Sequence, residues 1–454
     1  MKNHTFSSSA DVFTWLSQFE NLERGQLSKT FNLDQMEALI RIAGHPEQCA
    51  PVIHIAGSKG KGSVTGMITA MLEAEGLKTA RYTSPHVTED RERITQGNNF
   101  FEESIYLEAG EELVSIAEAY HAAKSRAGSV PEDDQEPTFF EYLTLYFFLC
   151  AQKAHCDVMV VETGMGGRLD ATNMVNPLVS VINVIELEHT DVLGNTIEAI
   201  AGEKAGIIKQ GRPVILSEQS PQALGVFQKA AASKQAPLYY FPEVADIQNL
   251  LLSRTGTTFT LHYRLPLSRS STLELSIPIP GEIQAKNAGL ALIAAKLAFP
   301  VLREQSIRTG LQDFTLPARF ERIREAPVLV IDGAHTPQSV AACIDTFTTL
   351  YGKGGILIFG CVAGKAAETM ARILIPLFSH IIITTPGTYK VSFPEKVYET
   401  FQALAAQGEV VLSFIKETDK AIETAVELGR KQGLPILGTG SFYLAAELRG
   451  HAYT

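Results

Sequence analysis

Apolar positions along the chain fall into short continuous runs separated by stretches of helical spacing. Val52-Ile-His-Ile-Ala-Gly57 is one such run, of the length and make-up of a buried strand. Val64, Ile68, Met71 and Leu72 follow at the spacing of one helix face, and Gly76 supplies a stop. Further strand-like runs lie at 80–83, 158–163, 178–187 and 213–216, with helical patterns between most of them. Strands alternating with helices predict a parallel sheet covered on both faces. Residues 249–280 break the rhythm. The segments 257–263 and 272–279 alternate in polarity and predict a small antiparallel appendage. A second alternating block begins near Pro317, with short apolar runs at 328–331, 356–359, 381–384, 410–414 and 434–437. Helices of roughly 10–17 residues are expected between them. The pattern predicts an α/β chain of two domains. Residues 1–316 carry the larger sheet and its appendage, and 317–454 form a smaller doubly wound, Rossmann-like domain.

Composition narrows the classes open to such a fold. The chain has 454 residues, 45% hydrophobic and 20% charged, which is globular composition and excludes intrinsic disorder. Lys and Arg number 39 against 50 Asp and Glu, a net charge of −11. That balance gives no broad attraction to nucleic acid or anionic membrane. The most apolar stretches, 139–151 and 288–302, are broken by Glu141 and Lys296, and neither approaches the roughly 18 apolar residues of a spanning helix. Residues 1–25 are polar and lack the apolar core of a signal peptide. The five cysteines include no CxxC pair and fit reduced thiols. A cytoplasmic monomer that acts on small molecules, without nucleic-acid or membrane partners, is expected.

The first strand runs into Gly57-Ser-Lys-Gly-Lys-Gly-Ser63 and then into a helix. Glycines there let backbone N–H groups turn inward around phosphates, the helix N-terminus adds partial positive charge, and Lys61 can reach the terminal phosphates. Gly57, Ser58, Lys59, Gly60, Lys61, Gly62 and Ser63 are therefore candidate nucleotide contacts, with Ser63 at the Mg²⁺ side. The match to G-x-x-x-x-G-K-[ST] is imperfect because Gly62 separates Lys61 from Ser63. The plainer reading is a glycine-rich turn with solvated lysines. Glu162 closes an apolar strand at the crevice edge of the expected sheet, a position suited to holding hard cations. Lys204 falls on the apolar face set by Ile197, Ile200, Ala201 and Ile208. An ammonium there is costly and has its pKa lowered.

The loop's Gly-x-x-Gly-Lys-Gly-Ser spacing resembles the Mur ligase superfamily, in particular its folylpolyglutamate synthase and dihydrofolate synthase branch, whose loop usually reads GTNGKGS. The resemblance continues in Thr83-Ser-Pro-His86 with Glu92-Arg-Ile94, Thr138-Phe-Phe-Glu141 and Glu162-Thr-Gly-Met-Gly-Gly-Arg-Leu-Asp-Ala-Thr-Asn173. It extends through Glu203-Lys-Ala-Gly-Ile-Ile-Lys209 and Asp332-Gly-Ala-His335. Together these motifs run from residue 57 to residue 335, and the resemblance continues beyond them. The resemblance implies a Mur ligase central-type P-loop domain followed by a Rossmann-like glutamate-ligase domain. It implies ATP-dependent joining of L-glutamate to dihydropteroate or to a folate through an acyl phosphate.

It also implies roles. Ser84, Glu162 and His189 would hold the Mg²⁺ ions, two being expected. Their plainer readings are a turn serine, a capping glutamate and a satisfied histidine. Lys204 would be carbamoylated, or else simply paired with a buried carboxylate. Asn287, Arg319 and Asp332 would contact ATP. Thr138, Gly166 and Asp170 would border the pterin, with a helix N-cap the alternative for Asp170. The paired glycines at Gly166 are read as room for close approach of ligand to backbone. Asp332 and His335 would act at the nucleotide and the incoming glutamate, with Ser441 beside them. Departures from the family pattern are Ser58-Lys59 for Thr-Asn, Glu188 for Asp, Thr336 for Asn, and Gly364-Lys-Ala366 where an acidic residue is usual. The Thr336 and Gly364 departures favour, as an alternative, a Mur ligase joining another amino acid to another acid; a non-catalytic nucleotide-binding relative is the other alternative, and the retention of Lys61, Glu162, His189 and Lys204 argues against it.

Overall fold

The computed structural model describes residues 5–21, 32–127, 136–265, 271–387, 390–405 and 410–451. Residues 1–4 and 22–25 of the polar N-terminal stretch lie outside them. Among the described residues no helix is long and apolar enough to cross a membrane.

The apolar runs of the first block become β1 (Val52–Ala56), β2 (Thr79–Tyr82), β4 (Val158–Glu162), β5 (Val179–Ile182) and β6 (Val214–Leu216). Two three-residue strands, β3 (Ile94–Gln96) and β7 (Leu238–Tyr240), complete a sheet of order β3-β2-β4-β1-β5-β6-β7. All neighbours are parallel except β2 and β3. β1, β4 and β5 are buried along their whole length, as continuous apolar runs covered on both faces must be. The run expected to reach residue 187 stops at Ile182. There Asn183 turns the chain, its side-chain oxygen accepting from the Val184 N–H at 2.8 Å. Ile55 lies opposite Glu162, and Ala56 opposite Ile182. The loops after β1, β4 and β5 therefore leave one edge of the sheet side by side, with β1 between the other two strands.

The helix after β1, Lys61–Ala74, is buried at every position from Ser63 to Leu72, more completely than a one-sided stripe predicts. Helix Glu304–Gln312 packs against it, which requires glycine at the crossing. A Cβ on Gly310 would sit 2.5 Å from the Ala70 carbonyl oxygen, and one on Gly66 would sit 2.6 Å from the Phe314 ring. Helix Phe139–Lys153 lies in a core with residues of helices Ser9–Leu16, Asp34–Ile42 and Glu103–Ala127. A separate core gathers β5, β6 and helices Ile197–Ala205 and Pro221–Ser233.

The appendage is a three-stranded sheet of order β10-β9-β8, built from β8 (Ala245–Ser253), β9 (Gly256–Tyr263) and β10 (Ser271–Ile277). Its connections are too short for parallel crossovers, so the strands run antiparallel. The last sheet comprises β11 (Glu321–Glu325), β12 (Val328–Ile331), β13 (Gly355–Phe359), β14 (Phe378–Ile383), β15 (Val411–Phe414) and β16 (Ile436–Thr439), in the order β11-β12-β16-β13-β14-β15. It is parallel except for β11. One connecting helix, Ala367–Leu374, has 8 residues, shorter than expected.

By contact the chain forms two compact units. Met1–Gln248, Thr260–Leu275 and Lys286–Phe314 make one; Asn249–Phe259, Ser276–Ala285 and Thr315–Thr454 make the other. The division is not a single cut, because segments of the appendage group with the C-terminal unit.

Gly310→Ala tests how the helix after β1 is held. Helix propensity favours alanine by about 1 kcal/mol. The clash is with backbone, which no rotamer relieves, and overpacking costs about 1–3 kcal/mol. A lower urea midpoint than wild type is expected; an unchanged or higher midpoint would refute this account of the packing.

Candidate active site

The glycine loop is shaped by an asparagine pair beneath it. Gly57 has φ +149 and Gly60 φ +76, conformations that favour glycine. A Cβ on Gly60 would meet Asn183 Nδ2 at 2.3 Å and Asn287 Oδ1 at 2.9 Å. Asn183 Nδ2 donates to Asn287 Oδ1 at 2.9 Å, and both residues are buried. Asn287 thus sits directly under the loop, while the role of Asn183 was not foreseen; its one sequence signal is a polar residue ending an apolar run. Ser58 is buried, its N–H donating to the Val184 carbonyl and its hydroxyl to the Glu186 carbonyl. Gly60 caps helix Lys61–Ala74, so the loop lies at the positive end of that helix.

Two lysines converge on one loop carbonyl. Lys61 Nζ donates to the Gly57 oxygen at 2.9 Å and Lys204 Nζ donates to the same atom at 3.0 Å. Lys204 is 1% exposed and pairs with Glu188 Oε1 at 2.9 Å, the arrangement set above as the alternative to carbamoylation. Burial lowers the Lys204 pKa to about 8, against the opposing attraction of Glu188. Burial works to raise the Glu188 pKa, but the charges of Lys204, Lys61 and Lys59 outweigh it and hold the carboxyl low.

Glu162 ends β4, buried, and a Cβ on Gly62 would lie 3.5 Å from its Oε2. That is ordinary contact, so the carboxylate does not account for the glycine that breaks the P-loop pattern. Ser63 Oγ is buried with no hydrogen-bond partner among the described residues. Ser84 follows β2, half-buried. His189 lies in the loop after β5, exposed, with φ +47. Among the described residues no group of three or more His, Cys, Asp or Glu is placed to hold a metal.

The acid loop after β4 is tied on itself and to helix Ile197–Ala205. Asp170 is the N-cap of the turn Ala171–Met174. Its Oδ1 accepts from Thr172 N at 3.0 Å and from Thr172 Oγ1 at 2.6 Å, and its Oδ2 from Met165 N at 2.9 Å. Burial raises its pKa against those bonds. A Cβ on Gly167 would lie 2.9 Å from the Glu203 carbonyl oxygen, and one on Gly206 would lie 2.3 Å from Arg168 Cα. Gly167 thus serves helix packing, where the sequence suggested room for ligand. Gly166 has φ +71 with Leu193 beside it. Thr138 caps helix Phe139–Lys153 in a reciprocal box with Glu141, a structural reason for that motif.

In the C-terminal unit Asp332 follows β12. Its Oδ2 accepts from Phe320 N and its Oδ1 from Ala334 N, both at 2.8 Å. Burial raises its pKa, while Arg319 opposes the rise. Arg319 lies between Ala318 and Phe320, two non-glycine residues with positive φ of 55° and 44°, a strained turn of the kind found at functional sites. Its guanidinium stacks 3.8 Å over the Phe442 ring. His335 faces the same ring at 5.9 Å, and its Nδ1 lies 2.9 Å from the Gly333 carbonyl oxygen. Phe442 therefore organises three singled-out motifs, and nothing in the sequence signalled it beyond its place next to Ser441. Ser441 is buried and its hydroxyl accepts from Tyr443 N at 3.1 Å. Thr336 caps helix Pro337–Tyr351, its hydroxyl accepting from Ser339 N. Gly364 has φ +79, which accounts for the glycine; nothing in the structure accounts for the missing acidic residue.

Comparison with known proteins fits this geometry. Residues 55–295 match the Mur ligase middle domain and 318–442 the Mur ligase glutamate ligase domain. The chain is 33% identical to the folylpolyglutamate synthase of Lacticaseibacillus casei over 93% of its own length and 95% of that protein. It is 28% identical to the dihydrofolate synthase/folylpolyglutamate synthase of Bacillus subtilis, over 92% and 94% respectively. The chain belongs to the folylpolyglutamate synthase and dihydrofolate synthase family of Mur ligases. Its fold is correspondingly similar to the Mycobacterium tuberculosis folylpolyglutamate synthase solved with ADP and AMPPCP. The TM-score is 0.86 at 28% identity, covering 98% of both chains. Membership of this family makes the chain an ATP-dependent ligase.

Two predictions follow from the buried groups of this family member. Glu188→Ala leaves the buried Lys204 ammonium beside Lys61 with the Gly57 carbonyl but no counter-charge from Glu188, and removing one partner of a buried ion pair costs about 3–5 kcal/mol. A large drop in melting temperature at pH 7 is expected for Glu188→Ala but not for Glu188→Asp. Separately, burial, assisted by the charge of Lys209, lowers the His54 pKa from an ordinary 6.5 to about 3. Between those values the unfolded chain holds a proton that the folded chain does not, so stability falls as pH drops through that window. Urea midpoints at pH 7 and pH 5 should diverge more for wild type than for His54→Gln; equal divergence refutes the assignment.

Proposed function

We propose that the chain adds L-glutamate to dihydropteroate, to a folate, or to both, with ATP cleaved to ADP and phosphate. The observation that carries the reading is the convergence of Lys61 and Lys204 on the Gly57 carbonyl inside a glycine loop. This clusters positive charge where nucleotide phosphates are handled in an acidic chain. In the proposed reaction the substrate carboxylate attacks the γ-phosphorus, ADP leaves, the glutamate amine attacks the acyl carbon, and phosphate departs. Lys61 exchanges the Gly57 carbonyl for phosphate oxygen, and Arg319 is the ATP contact proposed for the C-terminal unit. Gly57, Ser58, Lys59, Gly60, Gly62 and Asn287 shape the nucleotide site. Asp332, His335 and Ser441 serve the nucleotide and the incoming glutamate, while Thr138, Gly166 and Asp170 serve the pterin.

Mg²⁺ fits the donors present. The orphaned Ser63 hydroxyl and the buried Glu162 carboxylate are hard oxygens. A magnesium site completed by phosphates and water needs no closed protein cage. Ser63, Ser84, Glu162 and His189 would hold the ions, which supply charge neutralisation at the phosphates. Lys204 is the candidate for carbamoylation, since burial makes its neutral amine more available; the modification would require Glu188 to give up its pair.

The domain roles assigned to 1–316 and 317–454, nucleotide with pterin and glutamate ligation, belong to the same proposal. All five cysteines are free, in keeping with the proposed cytoplasmic setting, and the chain is proposed to act as a monomer. Thr336 weighs less against glutamate than its departure suggested. As a helix cap, threonine does the work that asparagine does.

Lys61→Ala and Glu162→Ala should each lower ligation by at least about 100-fold. The assay is ADP release with ATP and Mg²⁺, crossing dihydropteroate and tetrahydrofolate against a panel of amino acids. Near-normal turnover by either purified variant defeats the mechanism. Absence of glutamate-dependent release with both pterins defeats the substrate assignment.

A further inference from the structure

β1 carries one histidine in a strand that is otherwise apolar and buried at every position. His54 is fully buried, and its Nε2 lies 2.8 Å from Thr172 Oγ1. Thr172 Oγ1 in turn donates to Asp170 Oδ1 at 2.6 Å. A hydroxyl has a single proton, and this one is committed to the carboxylate. His54 must therefore donate from Nε2, leaving Nδ1 as the lone-pair nitrogen. Nδ1 has no hydrogen-bond partner among the described residues. Leaving a buried polar atom unsatisfied is destabilising, and an apolar residue in β1 would avoid that cost. Such a local conflict in an otherwise consistent core is where function is expected.

The chain of hydrogen bonds shows what that conflict achieves. Asp170 holds both ends of the loop 164–170. Its Oδ2 receives Met165 N near the start, and its Oδ1 starts the turn Ala171–Met174 at the end. His54 orients Thr172, which orients Asp170. The loop is thereby tethered to the same strand that ends, at Ala56, in the nucleotide loop.

We propose that His54 is a positioning residue for the acyl substrate, a pterin-bearing carboxylic acid, acting through Thr172 and Asp170 to fix the loop that receives it. This rests on the reading above that the loop 164–170 borders that substrate. His54 touches neither nucleotide nor substrate in this role.

The test is steady-state kinetics on the full chain with dihydropteroate and tetrahydrofolate. His54→Leu should raise the KM for the acyl substrate by about tenfold, with the KM for ATP and kcat at saturating acyl substrate little changed. His54→Gln, which returns an N–H donor, should restore most of the loss. Thr172→Val should reproduce the effect and Thr172→Ser should not, which decides the matter if His54→Leu does not fold. Unchanged acyl-substrate KM in folded His54→Leu or Thr172→Val, or an equal rise in the KM for ATP, overturns the proposal. Asp170→Asn separates the two layers. If it raises the acyl-substrate KM while the His54 and Thr172 variants do not, the relay fails alone. If it too has no effect, the placement of the substrate at this loop fails with it.

Discussion

The structure of the site depends on one buried ammonium. Taking a lysine out of water costs several kcal/mol even after relaxation, and Lys204 is tolerated because Glu188 and the Gly57 carbonyl receive it. Those two partners belong to different loops of the same sheet edge. The charge therefore joins the loop after β1, the loop after β5 and the helix Ile197–Ala205 in one arrangement. The acid loop after β4 is drawn in as well, because Gly167 and Gly206 let it lie against that helix and Arg168 pairs with Glu203.

Much of this was legible in the sequence where the information is local. The glycine loop between β1 and its helix and the apolar strands are short-range patterns whose meaning does not depend on distant partners. The burial of Lys204 could be read from helical spacing; its partner could not, since Glu188 reaches it only through the fold. The same holds for Asn183, for Phe442 beneath Arg319 and His335, and for Thr172 between His54 and Asp170. β3 and β7 are three residues long, too short for a period to declare itself. Gly167 shows a subtler limit. A glycine reports that something comes close, and only the structure says whether it is a ligand or a helix.

An acidic chain of net charge −11 handles anionic substrates only if positive charge is concentrated locally. Lys59, Lys61 and Lys204 all bear on Glu188, and the helix terminus at Gly60 adds to them. The global field then discourages polyanions, while the loop keeps its own sign.

β11 carries a consequence of another kind. It runs against the other strands of its sheet, reads Glu-Arg-Ile-Arg-Glu, and is irregular between Arg322 and Arg324. Without it, the parallel strand β12, buried at Leu329, Val330 and Ile331, would be the margin of the sheet and would offer open backbone groups to any passing chain. A short, charged and bulged border strand is how sheets resist edge-to-edge association. The five residues of β11, which begin two positions after Arg319, thus bear on the solubility of the newly made protein, and substitutions there should be judged by aggregation during folding as well as by catalysis.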